Sequence, residues 1–176
     1  MTRYAALLRG INLGSRNRVA MTDLRAIFTD LGHRDVVTHV QSGNVAFTSG
    51  GGTAADIERA VTGELAARLG HDVPVMVRSH AELGRLVDGV PYPVDDPLRT
   101  HVTLLAEAPD AELVAALTVP EGESARLTLR GRDVYLHTPD GYGRTKLSNA
   151  FLERRLKVAA TTRNWRTVTT MHELTG

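Results

Sequence analysis

Apolar residues recur along this chain in two rhythms. Short runs with continuous or alternating apolar positions predict strands at 3–9 (RYAALLR), 35–40 (DVVTHV), 44–48 (NVAFT) and 73–78 (VPVMVR). Between them, Met21, Leu24, Ile27, Phe28 and Leu31 share one face of a helix that Gly32 would stop. A second helix starts at Thr53, with Asp56 three residues on as a variant capping box. It carries Ile57, Val61, Leu65 and Leu69 before Gly70. The order is β-α-β-β-α-β, the split βαβ of ferredoxin-like sheets. A further helix is expected from Ser79, whose capping box closes with Glu82, to Gly89.

Residues 90–97, VPYPVDDP, have three prolines, two acids and no periodicity, and they predict a linker. Beyond it the order begins again. Strands are expected at 101–106, 124–129 and 134–138, with helices over 110–117 and 147–157. Thr162 suits the N-cap of a terminal helix in which Trp165, Val168 and Met171 recur at spacing three, Trp165 serving as a core anchor. The predicted class is therefore α+β. A ferredoxin-like subdomain covers 1–89, a linker 90–99, and a second, similar α+β subdomain with terminal helices 100–176. No residue-level repeat is visible, so the duplication rests on element order.

The composition, 42% hydrophobic and 23% charged, is that of a globular protein. No run approaches the roughly 18 apolar residues of a membrane span, and the opening residues lack a signal-peptide pattern. With no cysteine, disulfides, thiolate nucleophiles and cysteine metal sites are excluded, and a cytoplasmic location is the default expectation. The net charge of +1 hides a segregation: +3 over residues 1–48, −8 over 49–125 and +6 over 126–176. Near-neutrality argues against a general nucleic-acid coat protein, while a local basic face remains compatible with the pattern.

Chain order also places polar loops together. In such a unit the loop leaving the first strand (residues 9–19), the hairpin joining the second and third (41–44), and the turn entering the fourth (70–72) share one sheet edge. Arg9, Asn12, Arg16, Asn17, Arg18, Gln41, Ser42, Asn44 and His71 should converge there. The first loop is about ten residues long, beyond the usual 2–6 for a strand-to-helix connection, which brings a binding role level with plain connection. A second candidate is PDGYGRTKLSNAF (139–151). There a Gly-rich turn opens a helix, and either Arg144, Thr145 and Lys146 surround an anion at its N-terminus or Ser148 caps the helix and the basic residues are simply exposed. It is no Walker loop, since Gly143 is followed by Arg, Thr, Lys and Leu. Arg163 and Asn164, placed in the first turn of the terminal helix, would set an arginine against the positive helix end, a conflict that a bound anion would relieve.

Catalytic patterns are missing. None of the seven histidines shows H-E-x-x-H spacing, and neither G-x-S-x-G nor G-x-G-x-x-G occurs. No metal site and no cofactor are expected.

The blocks LRGIN, QSGN, TKLSN and TTRNW, within YAALLRGINLGSRNRVAMTDLRAIFTDLGHRDVVTHVQSGNVAF and GRTKLSNAFLERRLKVAATTRNWRTVTTMHEL, resemble the bacterial domain-of-unknown-function family numbered 1697. That resemblance implies an α+β, ferredoxin-like architecture and brings no activity, cofactor or catalytic residues. The blocks coincide with the loops chosen above. The expected ligand-binding set is Arg9, Asn12, Arg16, Arg18, Gln41, Ser42, Asn44, Arg144, Lys146, Asn149, Arg163 and Asn164. The leading expectation is an anionic, phosphate-bearing ligand such as a nucleotide or short nucleic acid. Two alternatives stay open: an enzyme acting on a phosphorylated or carboxylated small molecule, with Lys146 as stabiliser or nucleophile, and an interaction module without catalysis.

Overall fold

Chain order in the computed structural model, which describes residues 1–15 and 17–176, begins with β1 (Thr2–Leu8), α1 (Met21–Asp30), β2 (Arg34–His39), β3 (Asn44–Ser49), α2 (Ala54–Leu69), β4 (Val75–Ser79) and α3 (His80–Asp88). It continues with β5 (Thr100–Leu105), α4 (Ala111–Ala115), β6 (Arg126–Arg130), β7 (Asp133–His137), a 3-10 turn (Tyr142–Arg144), α5 (Asn149–Leu156), β8 (Ala160–Asn164) and α6 (Trp165–Leu174). Two antiparallel four-stranded sheets result, ordered β2-β3-β1-β4 and β6-β7-β5-β8. The protein is α+β, with two similar halves and a C-terminal helix. Residues 1–85 and 170–176 form one compact unit and residues 86–169 the other. The proline-rich stretch 90–97 thus lies inside the second unit.

Local signals set the helix ends. At α2, Thr53 and Asp56 form the expected reciprocal capping box, and Gly70 closes the helix at φ 77°. Before α3 the Ser79 hydroxyl accepts from the Glu82 N–H at 3.2 Å, while the Glu82 carboxylate accepts from the Ser79 N–H at 2.8 Å. Ser148 caps α5 by accepting from the Phe151 N–H at 3.2 Å.

Each unit builds its core on one sheet face. In the first, Ala6, Leu8, Val45, Phe47, Val75 and Val77 meet Leu24, Ile27 and Phe28 of α1 and Ile57, Val61 and Leu65 of α2. In the second, Leu105, Val134, Leu136 and Ala160 meet Phe151, Leu152 and Leu156 of α5. Each large apolar side chain removed from water in this way contributes roughly 1.5–3 kcal/mol.

One sequence expectation is corrected. Thr162 is not an N-cap: it lies in β8, which pairs with β5. The cap is Asn164, whose Oδ1 accepts from the Thr167 N–H at 2.9 Å, and α6 follows with Trp165 buried as expected. The physical reason is tertiary. The β-branched Thr161 and Thr162 find the open edge of β5, and that pairing overrides a local capping signal.

The shift exposes a residue-level trace of the duplication. Tyr4 and Ala5 stand opposite Ser79 and Arg78, whereas His101 and Val102 stand opposite Asn164 and Arg163. Arg78 and Arg163 therefore hold the same sheet position, and each is followed by the residue that caps the next helix.

Candidate functional site

The edge at the end of β1 gathers three distant segments. The Leu8 N–H donates to the Gly43 carbonyl at 2.8 Å, and the Arg9 N–H donates to that of Pro74 at 2.9 Å. Gly43 sits at φ 77°, and a Cβ there would lie 2.7 Å from Ile11 Cδ1 and 2.9 Å from Leu8 Cβ. Only glycine suits both the dihedral and the close approach.

Asn12 holds the loop in shape. At φ 55° it occupies the left-handed region that asparagine tolerates. Its Oδ1 accepts from the Val19 N–H at 2.9 Å, and its Nδ2 donates to the Val19 carbonyl at 3.0 Å and to the Gln41 carbonyl at 2.7 Å. One side chain thus ties the two ends of the loop to each other and to the hairpin. Asn17 adds a bond from its Nδ2 to the Gly10 carbonyl at 3.1 Å. In the hairpin, buried Asn44 donates to the His39 carbonyl at 3.1 Å and to the Ser42 hydroxyl at 2.9 Å. His71 turns back on the end of α2, its Nδ1 3.2 Å from the Leu69 carbonyl.

The framework leaves an open cleft of about 430 Å³ lined by Asn12, Gly14, Arg18, Val19, Ala20 and Gln41. Arg18 and Gln41 are exposed, and among the described residues neither side chain has a hydrogen-bond or ion-pair partner. The N-cap of α1 is Ala20, which offers the first-turn amides no side-chain acceptor. Arg16, expected at this edge, lies outside the described residues.

The second candidate is built differently. The Lys146 N–H donates to Glu123 Oε2 at 2.6 Å, the Ala125 N–H donates to Oε1 at 2.8 Å, and Lys146 Nζ donates to the Glu121 carbonyl at 3.0 Å. Those two backbone bonds hold the Glu123 carboxyl below its ordinary pKa. An anion thus meets these groups, and the chain itself supplies it. Arg144 and Lys146 line a cavity of about 190 Å³ with Glu123, Ser124 and Asp140, the last two joined at 2.6 Å.

Three further predicted residues are engaged in the framework. Asn149 donates to the Ala160 carbonyl at 2.9 Å and accepts from the Thr162 hydroxyl at 3.1 Å, stapling α5 to β8. Arg163 donates to Thr161 Oγ1 at 2.7 Å and to the Thr162 carbonyl at 2.9 Å, and burial lowers its pKa to about 10. It belongs to a strand, so the expected conflict with a helix end does not arise. Asn164 caps α6. Sequence reasoning missed Glu123, which no motif marks, and the Arg-Arg pair of α5, whose only signal was the cation-rich ERRLK.

Among the described residues no cluster of three or more His, Asp or Glu side chains is placed to hold a metal ion, and no helix is long and apolar enough to cross a membrane.

Residues 1–135 match the model of a family described as "Protein of unknown function (DUF1697)". The chain belongs to the DUF1697 family. Of its recognisable blocks, LRGIN and QSGN lie within the matched residues, whereas TKLSN and TTRNW lie beyond them. No curated protein matches this DUF1697 chain. Its fold is similar to the solved structure of conserved bacterial protein SP0830 from Streptococcus pneumoniae, with TM-score 0.78 and 24% identity over 99% of each chain. At that identity the likeness concerns the fold alone.

Proposed function

We propose that each unit is a ferredoxin-like scaffold, and that the first binds an anionic, phosphate-bearing ligand in the Asn12–Arg18–Gln41 cleft, in the cytoplasm. A nucleotide or a short nucleic-acid segment suits the chemistry. The Arg18 guanidinium takes phosphate oxygens in a forked pair, and the Gln41 amide offers a donor and an acceptor to a polar base edge. First-turn amides of α1, uncapped by Ala20, favour negative charge nearby.

One contrast carries the proposal. Asn12 is fully engaged in holding the walls, while the side chains of Arg18 and Gln41 on the same cleft hold nothing. Rigid walls with unengaged polar groups are what a binding site requires.

A thermal-shift panel of nucleotides, sugar phosphates and oligonucleotides tests it. A ligand at about 100 times its Kd stabilises by about 2.7 kcal/mol, several degrees in Tm. The shift is expected in the wild type and lost in Arg18→Gln. A panel without any shift, or a shift unchanged in Arg18→Gln, overturns the assignment.

A further inference from the structure

A second cleft lies wholly within the second unit, between α4 and α5. Leu113 and Ala116 form one wall, Arg154, Arg155 and Lys157 the other, around about 340 Å³. No carboxylate lines it. The guanidinium groups of Arg154 and Arg155 lie 5.9 and 5.4 Å from the centroid of the Phe151 ring. Among the described residues, none of the three cations has a side-chain hydrogen bond or an ion pair.

Helix-end electrostatics account for part of this arrangement, because cations favour the negative end of α5. The corresponding helix of the first unit shows what a purely structural solution looks like. At the end of α2, Arg68 donates to Glu64 at 2.7 Å and to Asp30 at 2.9 Å, and the capping position is Gly70. In α5 the cations lack such carboxylates, and the capping position is Lys157 at φ 59°, where glycine would be unstrained. Charge is concentrated here without being neutralised, at some cost in backbone conformation.

We propose that this cleft is a phosphate-ester site. Arg154 and Arg155 place forked donors on phosphate oxygens, and Lys157 adds a point charge. The Leu113 and Ala116 wall packs against the sugar or base of the same ligand. A nucleic-acid strand and a free nucleotide share this chemistry. The site is separate from the first-unit cleft and does not depend on it.

Fluorescence polarisation decides the matter, using a labelled single-stranded oligonucleotide and a fluorescent ATP analogue at about 50 and 200 mM salt. Wild type is compared with the triple variant Arg154→Gln, Arg155→Gln, Lys157→Asn, in which asparagine tolerates the left-handed backbone. Leu113→Glu, which puts a carboxylate into the same cleft, serves as a second variant should the triple fail to fold. The wild type is expected to bind at least one probe, and both variants to weaken it about tenfold or more. For the strand, the slope of log K against log salt should be shallower by about 2 in the triple variant, from three contacts at about 0.7 each. Weakening of the oligonucleotide identifies a nucleic-acid strand; weakening of the analogue alone identifies a free nucleotide. Wild type binding neither probe overturns the proposal, as does binding equally tight in the variants. Loss in Arg18→Gln alone overturns it too and leaves the first-unit cleft standing.

Discussion

The two units share one scaffold and differ in what connects its parts. In the first, the Leu8 and Arg9 amides donate to Gly43 and Pro74; in the second, the Leu105 and Ala106 amides donate to Arg132 and Ala159, all at 2.8–2.9 Å. Strand order and register correspond. Yet residues 9–20 separate β1 from α1, whereas only 106–110 separate β5 from α4. The longer connection folds over its hairpin and makes a cleft, and the shorter one crosses directly. Backbone pairing and an apolar sheet face packed on helices are common to both, so chemistry is free to vary in the loops. The helix ends differ as well: Arg68 is neutralised by two carboxylates, and the cations of α5 are not.

The hairpin glycines offer the sharpest way to break this comparison. Gly43 and Gly131 both have positive φ, 77° and 60°, but a Cβ meets Ile11 and Leu8 only at Gly43. Gly43→Ala is expected to cost about 3–4 kcal/mol, from dihedral strain plus overpacking, and Gly131→Ala about 1 kcal/mol from strain alone. Chemical denaturation of both variants measures this. Equal costs would mean the long loop does not press on its hairpin.

Next in size is a pH effect that falls mainly on the second half. Tyr4 and His101 hold the same register position, and burial lowers the His101 pKa from 6.5 to about 4. The unfolded chain therefore takes up that proton first as pH falls. Stability present above about pH 6.5 declines towards pH 4, by about 2–3 kcal/mol for this group. Half-buried His33 in the first unit, whose pKa partial burial also lowers, contributes with the same sign to a smaller extent. His101→Phe should flatten the profile between pH 6.5 and 4, and hydrogen exchange at pH 5 should show the second sheet recovering its protection. An unaltered profile would remove His101 as the cause.

The smallest expected effect concerns the loop clamp. Asn12→Ala removes three side-chain hydrogen bonds and leaves alanine at φ 55°, a loss of about 2 kcal/mol. Asn12→Gly relieves the dihedral and keeps only the hydrogen-bond loss. Both should weaken ligand-induced shifts in Tm more than overall stability; the reverse result would make Asn12 a stability element alone.

Much of this was legible before any coordinates. Capping at Thr53, Ser79 and Ser148 depends on residues three apart, so the chain states it locally. Helix faces follow from apolar period, and the shared edge of residues 12 and 41 follows from the order of elements. Less legible was β8, because Ala-Thr-Thr-Arg-Asn is polar and runs straight into a helical pattern. Its assignment needed an unpaired edge of β5, and nothing local to those residues supplies one.

By itself, then, the sequence determined the element order up to β8, the capping of α2 and α3 and which loops meet, since these depend on short-range periodicity and chain connectivity. Tertiary structure alone decided which polar groups are engaged. Asn12, Asn44, Asn149 and Asn164 are consumed by backbone partners up to 29 residues away, and Glu123 fills the amides of the second loop. Arg18, Gln41 and the cations of α5 are left facing solvent. The reason is distance: an amide or guanidinium is a scaffold bond or a binding group according to what the fold brings within about 3 Å of it, and composition carries no record of that.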